Sequence, residues 1–365
     1  MKSHRLFSHM KKIFLILSLC IFLSTSYAKI PRIAFGPPTT AARESDPSEF
    51  IDHPELWTNL AANSELYLAI DGELLGKHSW LKPMNVQNLV DVLKKQNLRL
   101  GIEFSGFGSE TKENQGSRAA RHIIENILDP IHAAGGSVQT IHLDGPDYRM
   151  LKGMHRVPEA GLNLEELAEE LRIFYTAIHD KYPNIKIGLI VDPKAWDYDE
   201  DTAGFLRYYT QKSGLYLEDV INEIHKTLTT YGEKIGFIEL DCPYPYYTKK
   251  RSLDHADIDI PDIFRRLQKW SNQRKIPFMI VVNTEPKFPG DIKTFDDEKR
   301  IATDIAYRED CLEYITALHK DGIQPDWILL ESWYSTPTKN APETEEGTFF
   351  HTTNACIEHI RKVFK

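Results

Sequence analysis

The chain has 365 residues, 27% of them charged, 41% hydrophobic, with four cysteines and a formal charge of −9 at pH 7. That length suits an eightfold strand–helix barrel, and the acidic balance argues against nucleic acid or an anionic membrane surface as partners. After its first 28 residues it contains no charge block, no Gly/Ser linker and no second composition regime.

Residues 1–28 read as a secretory signal peptide. Lys2, Arg5, Lys11 and Lys12 precede an apolar run from Ile13 to Leu23, and Ser26 and Ala28 are the small residues of a cleavage site. The run is short for a bilayer span, and Leu19 stands before Cys20 where a lipoprotein needs a small residue. Cleavage removes four cations and no anion, so the formal −9 becomes −13. The expectation is an exported protein, periplasmic or secreted, without a stable membrane span. It would act as a monomer on neutral or cationic partners.

Short apolar runs then alternate with helix-like stretches. The runs are Pro31–Gly36, Leu66–Asp71, Leu98–Glu103, Val138–Asp144, Ile185–Asp192, Ile235–Asp241, Phe278–Glu285 and Trp327–Glu331. They are rich in Ile, Leu and Val and bounded by polar turns, as buried parallel strands are. Helices are predicted over 86–96, 118–133, 164–182, 216–231, 260–274, 297–320 and 353–364. Asn163 is a start signal, and Gly135-Gly136 and Gly322 are left-handed stops. Eight strand–helix alternations predict an α/β fold, a (β/α)8 TIM barrel occupying 29–365 as one domain.

All the runs but the first, which stops at Phe35-Gly36, end on a carboxylate. In such a barrel the C-terminal strand ends build the active site. Side chains alternate along a strand, so Thr140, His142 and Asp144 share a face, as do Phe237, Glu239 and Asp241. The terminal acids share a face with Ala69, Gly101, Ile190, Asn283 and Leu329, several of them small or polar, which suggests that these faces line the mouth. Asp is a good helix cap, so Asp192 and Asp71 are assigned to capping. Glu caps poorly, so Glu103, Glu239, Glu285 and Glu331 are the functional candidates.

Like charges at close range raise some carboxyl pKa values and leave protonated acids beside ionised bases. That is the equipment for cleaving a glycosidic bond. Trp80, Phe107, Tyr148, Trp196, Tyr198, Tyr244, Tyr246, Tyr247, Trp333 and Tyr334 follow the strands and offer flat faces for sugar rings, or packing for the loops. Three cysteines remain after cleavage. Cys242 reads as a buried structural thiol, and Cys311 and Cys356 fall in neighbouring helices where a disulfide is one option.

This layout resembles the glycoside hydrolase barrels. Asn283-Thr284-Glu285-Pro286 is similar to the Asn-Glu-Pro of the large retaining clan with one residue inserted, although there the motif ends strand 4 and here strand 7. Strand 4 ends His142-Leu143-Asp144-Gly145-Pro146, similar to an Asp-Glu-Pro strand end of some barrel proteins, with Gly145 in place of the Glu. The clan uses the ends of strands 4 and 7, which implies Asp144 as proton donor and Glu285 as nucleophile or stabilising carboxylate. His142 would relay the proton, and Glu239 or Glu331 can take over a catalytic role. Glu103, Asp241, Asn283, Trp196, Tyr244, Tyr246, Trp333 and Tyr334 are the candidate contacts to an oligo- or polysaccharide.

Two alternatives stand beside this. Loss of an acid at Gly145 fits a non-catalytic carbohydrate-binding barrel. His142, Asp144, Glu239 and Asp241 have the chemistry for a metal-dependent hydrolase, but no His-x-His, His-Glu-x-x-His or Asp-x-His pattern occurs. No metal and no cofactor is therefore expected, and no flavin, dinucleotide or phosphate-loop signature follows any strand.

Overall fold

The computed structural model describes residues 29–36, 49–75, 84–107, 111–152, 160–193, 215, 217–248, 259–284, 297–332 and 336–365. Eight strands form: β1 (Arg32–Gly36), β2 (Leu66–Ile70), β3 (Arg99–Phe104), β4 (Val138–Asp144), β5 (Lys186–Val191), β6 (Ile238–Asp241), β7 (Phe278–Val282) and β8 (Trp327–Glu331). All are parallel and in chain order, and β8 pairs back onto β1 to close the barrel. Each strand is followed by a helix: α1 (Thr58–Asn63), α2 (Val86–Lys95), α3 (Gln115–Ile123), α4 (Leu164–Lys181), α5 (Leu217–Thr230), α6 (Ile260–Arg274), α7 (Asp297–Lys320) and α8 (Phe349–Val363). This is the (β/α)8 architecture. Among the described residues no helix is long and apolar enough to cross a membrane.

Local signals explain most of the boundaries. Asn163 caps α4 in a full capping box with Glu166, as its sequence suggests. Gly135 and Gly322 take φ of 76° and 75° where their helices stop. The helix expected to start at 118 begins earlier and widens into a π turn over Ile124–Leu128 before Asp129–Ala133. Pro130 has no N–H to continue an α ladder, and the wider turn ahead of it absorbs the loss. Helix α8 starts before residue 353, because the Thr348 hydroxyl accepts from His351 N–H. Asp71 does not end β2 but heads a short helix, Asp71–Leu75.

Alternation divides the core in two. Phe35 and Tyr67 point outward, where Phe35 makes edge contacts with Trp57, Tyr67 and Phe350 at ring centroid distances of 5.9, 5.6 and 6.2 Å. Ala34, Leu66, Leu68, Met279, Val281 and Leu329 point inward and fill the barrel on the side of β1, β2, β7 and β8. On the opposite side the inward positions include Gly101 and Gly188. There Phe237 crosses the space, and a Cβ on Gly188 would lie 2.3 Å from its ring. The Phe237 ring in turn packs against His142 at 4.5 Å. Cys242, Cys311 and Cys356 are buried and form no disulfide, and the Cys311 and Cys356 thiols are hydrogen-bonded to each other across α7 and α8.

Replacing Gly188 with Ala therefore pushes Phe237 into His142. Overpacking of this kind costs about 1–3 kcal/mol. Urea denaturation of Gly188→Ala is expected to show that loss, and an unchanged midpoint would show that Phe237 does not depend on the glycine.

Candidate active site at the barrel mouth

Glu103 on β3, His142 on β4, Glu239 on β6 and Glu331 on β8 all face the barrel interior near its C-terminal end, each 0–1% exposed. Glu103 and His142 are in register across β3 and β4, and His142 is in register with Gly188 on β5. Because Gly188 carries no side chain, the imidazole reaches past β5. Its Nδ1 bonds Glu239 Oε2 at 2.5 Å, and its Nε2 bonds Thr140 Oγ1 at 2.9 Å. The Glu239 carboxyl is thus oriented from below by a buried imidazole.

The strand without an acid has a steric reason. Gly36 is in register with Glu331 across the closing seam, and a Cβ at Gly36 would lie 3.0 Å from Glu331 Oε1. Glu331 occupies the volume that a side chain on β1 would need. Its backbone is held from outside, where the Tyr307 hydroxyl donates to Glu331 O at 2.7 Å. The same helix, α7, fixes two more strand ends. Tyr314 donates to Cys242 O at 2.9 Å, and Thr284 Oγ1 donates to Asp310 Oδ2 at 2.9 Å.

Asp144 and Asp241, on β4 and β6, are partnered. Asp144 pairs with the Arg149 guanidinium, whose Nε also donates to Asp144 O at 2.9 Å. Asp241 accepts from Asn283 Nδ2 at 3.1 Å. Gly145, which follows Asp144, sits at φ 53°, ψ 44° and precedes the short helix Pro146–Met150. That left-handed backbone favours glycine and penalises a glutamate, so the chain conformation itself disfavours an acid there.

Burial raises the Glu103 carboxyl well above the usual carboxylate range, and Glu331, Asp144, Glu239 and Asp241 add repulsion. Glu331 rises for the same reasons: burial first, then Glu239, Asp241, Glu73 and Asp144. Burial and repulsion thus favour the protonated form of both. Five carboxyl groups thus share one mouth electrostatically.

Glu73 is a sixth, and the strand-end pattern did not reveal it. It lies in the Asp71–Leu75 helix, is buried, and accepts from Ile70 N–H at 3.2 Å. Burial pushes it up to about 8. The signal available in the sequence was an acid three residues after the strand end, the spacing of a capping acceptor. Arg149 was missed too, although it stands one helical turn beyond Asp144.

Other candidates separate from this group. Tyr244 was a candidate for substrate contact, but it is buried against Tyr314 and its hydroxyl donates to Glu313 Oε2 at 2.6 Å, which turns it toward α7 and away from the mouth. The reason is local: Tyr244–Tyr247 is a helical turn whose Tyr247 also anchors outward, on Asp321 at 2.6 Å. Tyr246 is half-buried against the outer core. Asp71 is buried and accepts from Ser105 Oγ at 3.4 Å. Glu285, Trp196, Trp333 and Tyr334 lie outside the described residues. Among the described residues no three His, Cys, Asp or Glu side chains are arranged to hold a metal ion.

No family model matches the chain, and no curated protein is significantly similar to it. Solved structures do match its fold. GH5_18 from Streptomyces cattleya, solved in complex with GlcNAc, aligns with a TM-score of 0.54 and 12% identity, covering 92% of this chain and 80% of that one. The catalytic domain of beta-amylase from Paenibacillus polymyxa aligns with a TM-score of 0.51 and 8% identity, covering 92% and 99%. The chain has a (β/α)8 barrel of the type found in glycoside hydrolases. At these identities the likeness is one of fold.

Glu73 has a pH signature. Its folded-state pKa near 8 lies above the ordinary 4.5, so the unfolded chain releases this proton first as pH rises. Stability contributed by the neutral group is complete below pH about 4.5 and is lost up to pH about 8, amounting to a few kcal/mol at most. Gln keeps the acceptor for Ile70 N–H without titrating. Calorimetry should show Glu73→Gln gaining melting temperature over the parent at pH 8 but not at pH 5, and equal differences at both would refute a buried neutral Glu73.

Proposed function

We propose that this protein is an exported glycosidase that cleaves a glycosidic bond with a carboxylate pair at the barrel mouth. The observation that carries the reading is the chemical inequality among acids facing one another. Burial and its neighbours favour the protonated form of Glu331, as a general acid requires. Glu239 has one oxygen bonded to His142 while its Oε1 has no protein partner, the arrangement of an oriented base or nucleophile.

In this reading Glu331 protonates the leaving oxygen and Glu239 attacks the anomeric carbon or activates water. His142 holds the Glu239 carboxyl, and Glu239, Asp241 and Asp144 support the proton on Glu331 by repulsion. Asp144, engaged by Arg149, binds and positions rather than donating. Glu285 remains a further candidate for the nucleophile, on the resemblance of its motif. Gly145 does not speak for a lost acid, because its backbone suits glycine and the buried glutamates supply the acids from other strands. Residues 1–28 direct export and are removed, and 29–365 act as one domain.

The test is hydrolysis of a glycan panel by the purified protein and by Glu331→Gln, Glu239→Gln and Glu285→Gln. Loss of a catalytic acid or base typically costs about 10²–10⁴ in rate. Glu331→Gln and Glu239→Gln should each lose at least that while keeping their melting temperatures, and near-normal turnover by either would overturn its assigned role. N-terminal sequencing of exported protein is expected to start at Lys29; a retained leader would refute cleavage there.

A further inference from the structure

Glu239 is held by a chain of contacts that runs down the inner face of β4. Its Oε2 bonds His142 Nδ1 at 2.5 Å, and His142 Nε2 bonds Thr140 Oγ1 at 2.9 Å. The imidazole is fully buried, so each ring nitrogen depends on the group it faces. Around Nε2 the choice is narrow. Gly101 and Gly188, in register with Thr140 and His142, bring no side chain, and the Phe237 ring against the imidazole at 4.5 Å is apolar. Thr140 brings a hydroxyl.

The backbone is shaped to put that hydroxyl there. Leu100 pairs with Val138 and Gly101 with Thr140, so Gln139 is an extra residue on β4 immediately before Thr140. Bulges of this kind re-aim the side chains beside them and recur next to active sites. Gly101 then clears the space, because a Cβ there would lie 2.6 Å from Thr140 Oγ1 and 3.3 Å from His142 Nε2. Any larger residue on β3 would displace the hydroxyl from the imidazole.

A Glu239 that attacks carbon or activates water does so as a carboxylate, an acceptor with no proton of its own. The proton in its bond to His142 then sits on Nδ1, which leaves the lone pair of a neutral imidazole on Nε2. A hydroxyl can donate to that lone pair, and the bond at one ring nitrogen sets the role of the other. We propose that Thr140 is a positioning residue for Glu239: its hydroxyl donates to His142 Nε2 and holds the imidazole in the tautomer whose Nδ1–H points at the carboxylate. The inference rests on the glycosidase reading for what Glu239 does, and on the contact geometry for what Thr140 does.

Nitrogen-15 NMR of the full mature chain, labelled at histidine, tests the tautomer at pH 7, and kinetics on a glycan that the panel shows to be cleaved test its consequence. The His142 signals are those lost in His142→Asn. In the parent the proton is expected on Nδ1, with Nε2 unprotonated. Thr140→Val removes the hydroxyl and Gly101→Ala displaces it. Each should shift the Nε2 resonance and lower kcat about tenfold with KM little changed, the worth of one lost hydrogen bond in the transition state. Two variants guard against one failing to fold, and Thr140→Ser should recover most of both readouts. A protonated Nε2 in the parent, a parental Nε2 resonance or kcat in a folded Thr140→Val, or a Thr140→Ser that behaves like Thr140→Val would each overturn the assignment. The two readings fail separately. If no glycan is cleaved, a His142 tautomer that depends on Thr140 keeps the positioning role and removes the glycosidase, whereas hydrolysis with a spectrum indifferent to Thr140 does the reverse.

Discussion

Repulsion among carboxyl groups enclosed by a closed sheet is the constraint around which this barrel mouth is organised. In bulk water five such groups would ionise with small mutual cost; inside a barrel the field between them is poorly screened. Each acid must therefore find a partner or favour its protonated form, and both solutions occur here. Asp144 takes Arg149, Asp241 takes Asn283, and Glu239 takes His142. Glu103 and Glu331 have no cation bonded to them among the described residues, and both are pushed well above the ordinary carboxylate range, by burial first.

The scaffold is shaped to tolerate this. Gly36 leaves room for the Glu331 carboxyl, and Gly188 leaves room for Phe237 and for the reach of His142 to Glu239. Helix α7 grips the ends of β6, β7 and β8 through Tyr314, Asp310 and Tyr307. Buried acids of this kind work against stability, and their retention together at one mouth is the pattern of a functional site. Burial favours the proton on Glu331 while an imidazole orients Glu239, so two carboxyl groups of the same chemical type sit in different environments.

The interior set was legible because strand alternation is a local rule. Thr140 with His142, and Phe237 with Glu239, share a face by parity, and the barrel places all four inside. The partners were not legible in the same way. Arg149 reaches Asp144 only through the helical turn that follows Gly145, and the His142–Glu239 contact spans ninety-seven positions in sequence. Tyr244 illustrates the opposite error: an aromatic directly after a strand-end acid looked like a sugar platform, but its helical turn directs it to α7. Glu73 escaped attention because its side chain turns back to a strand whose end was read as Asp71.

By itself the sequence determined the eight-period strand–helix alternation, the closed parallel architecture it implies, and which face of each strand looks inward. Those depend on apolar runs and a period of two, which are local properties of the chain. Tertiary structure alone decided which acids are buried and pushed toward their protonated form, which are paired, and what faces the glycine that ends the first strand. Such outcomes depend on distances between strands far apart in sequence, and only closure of the barrel from β8 onto β1 sets those distances.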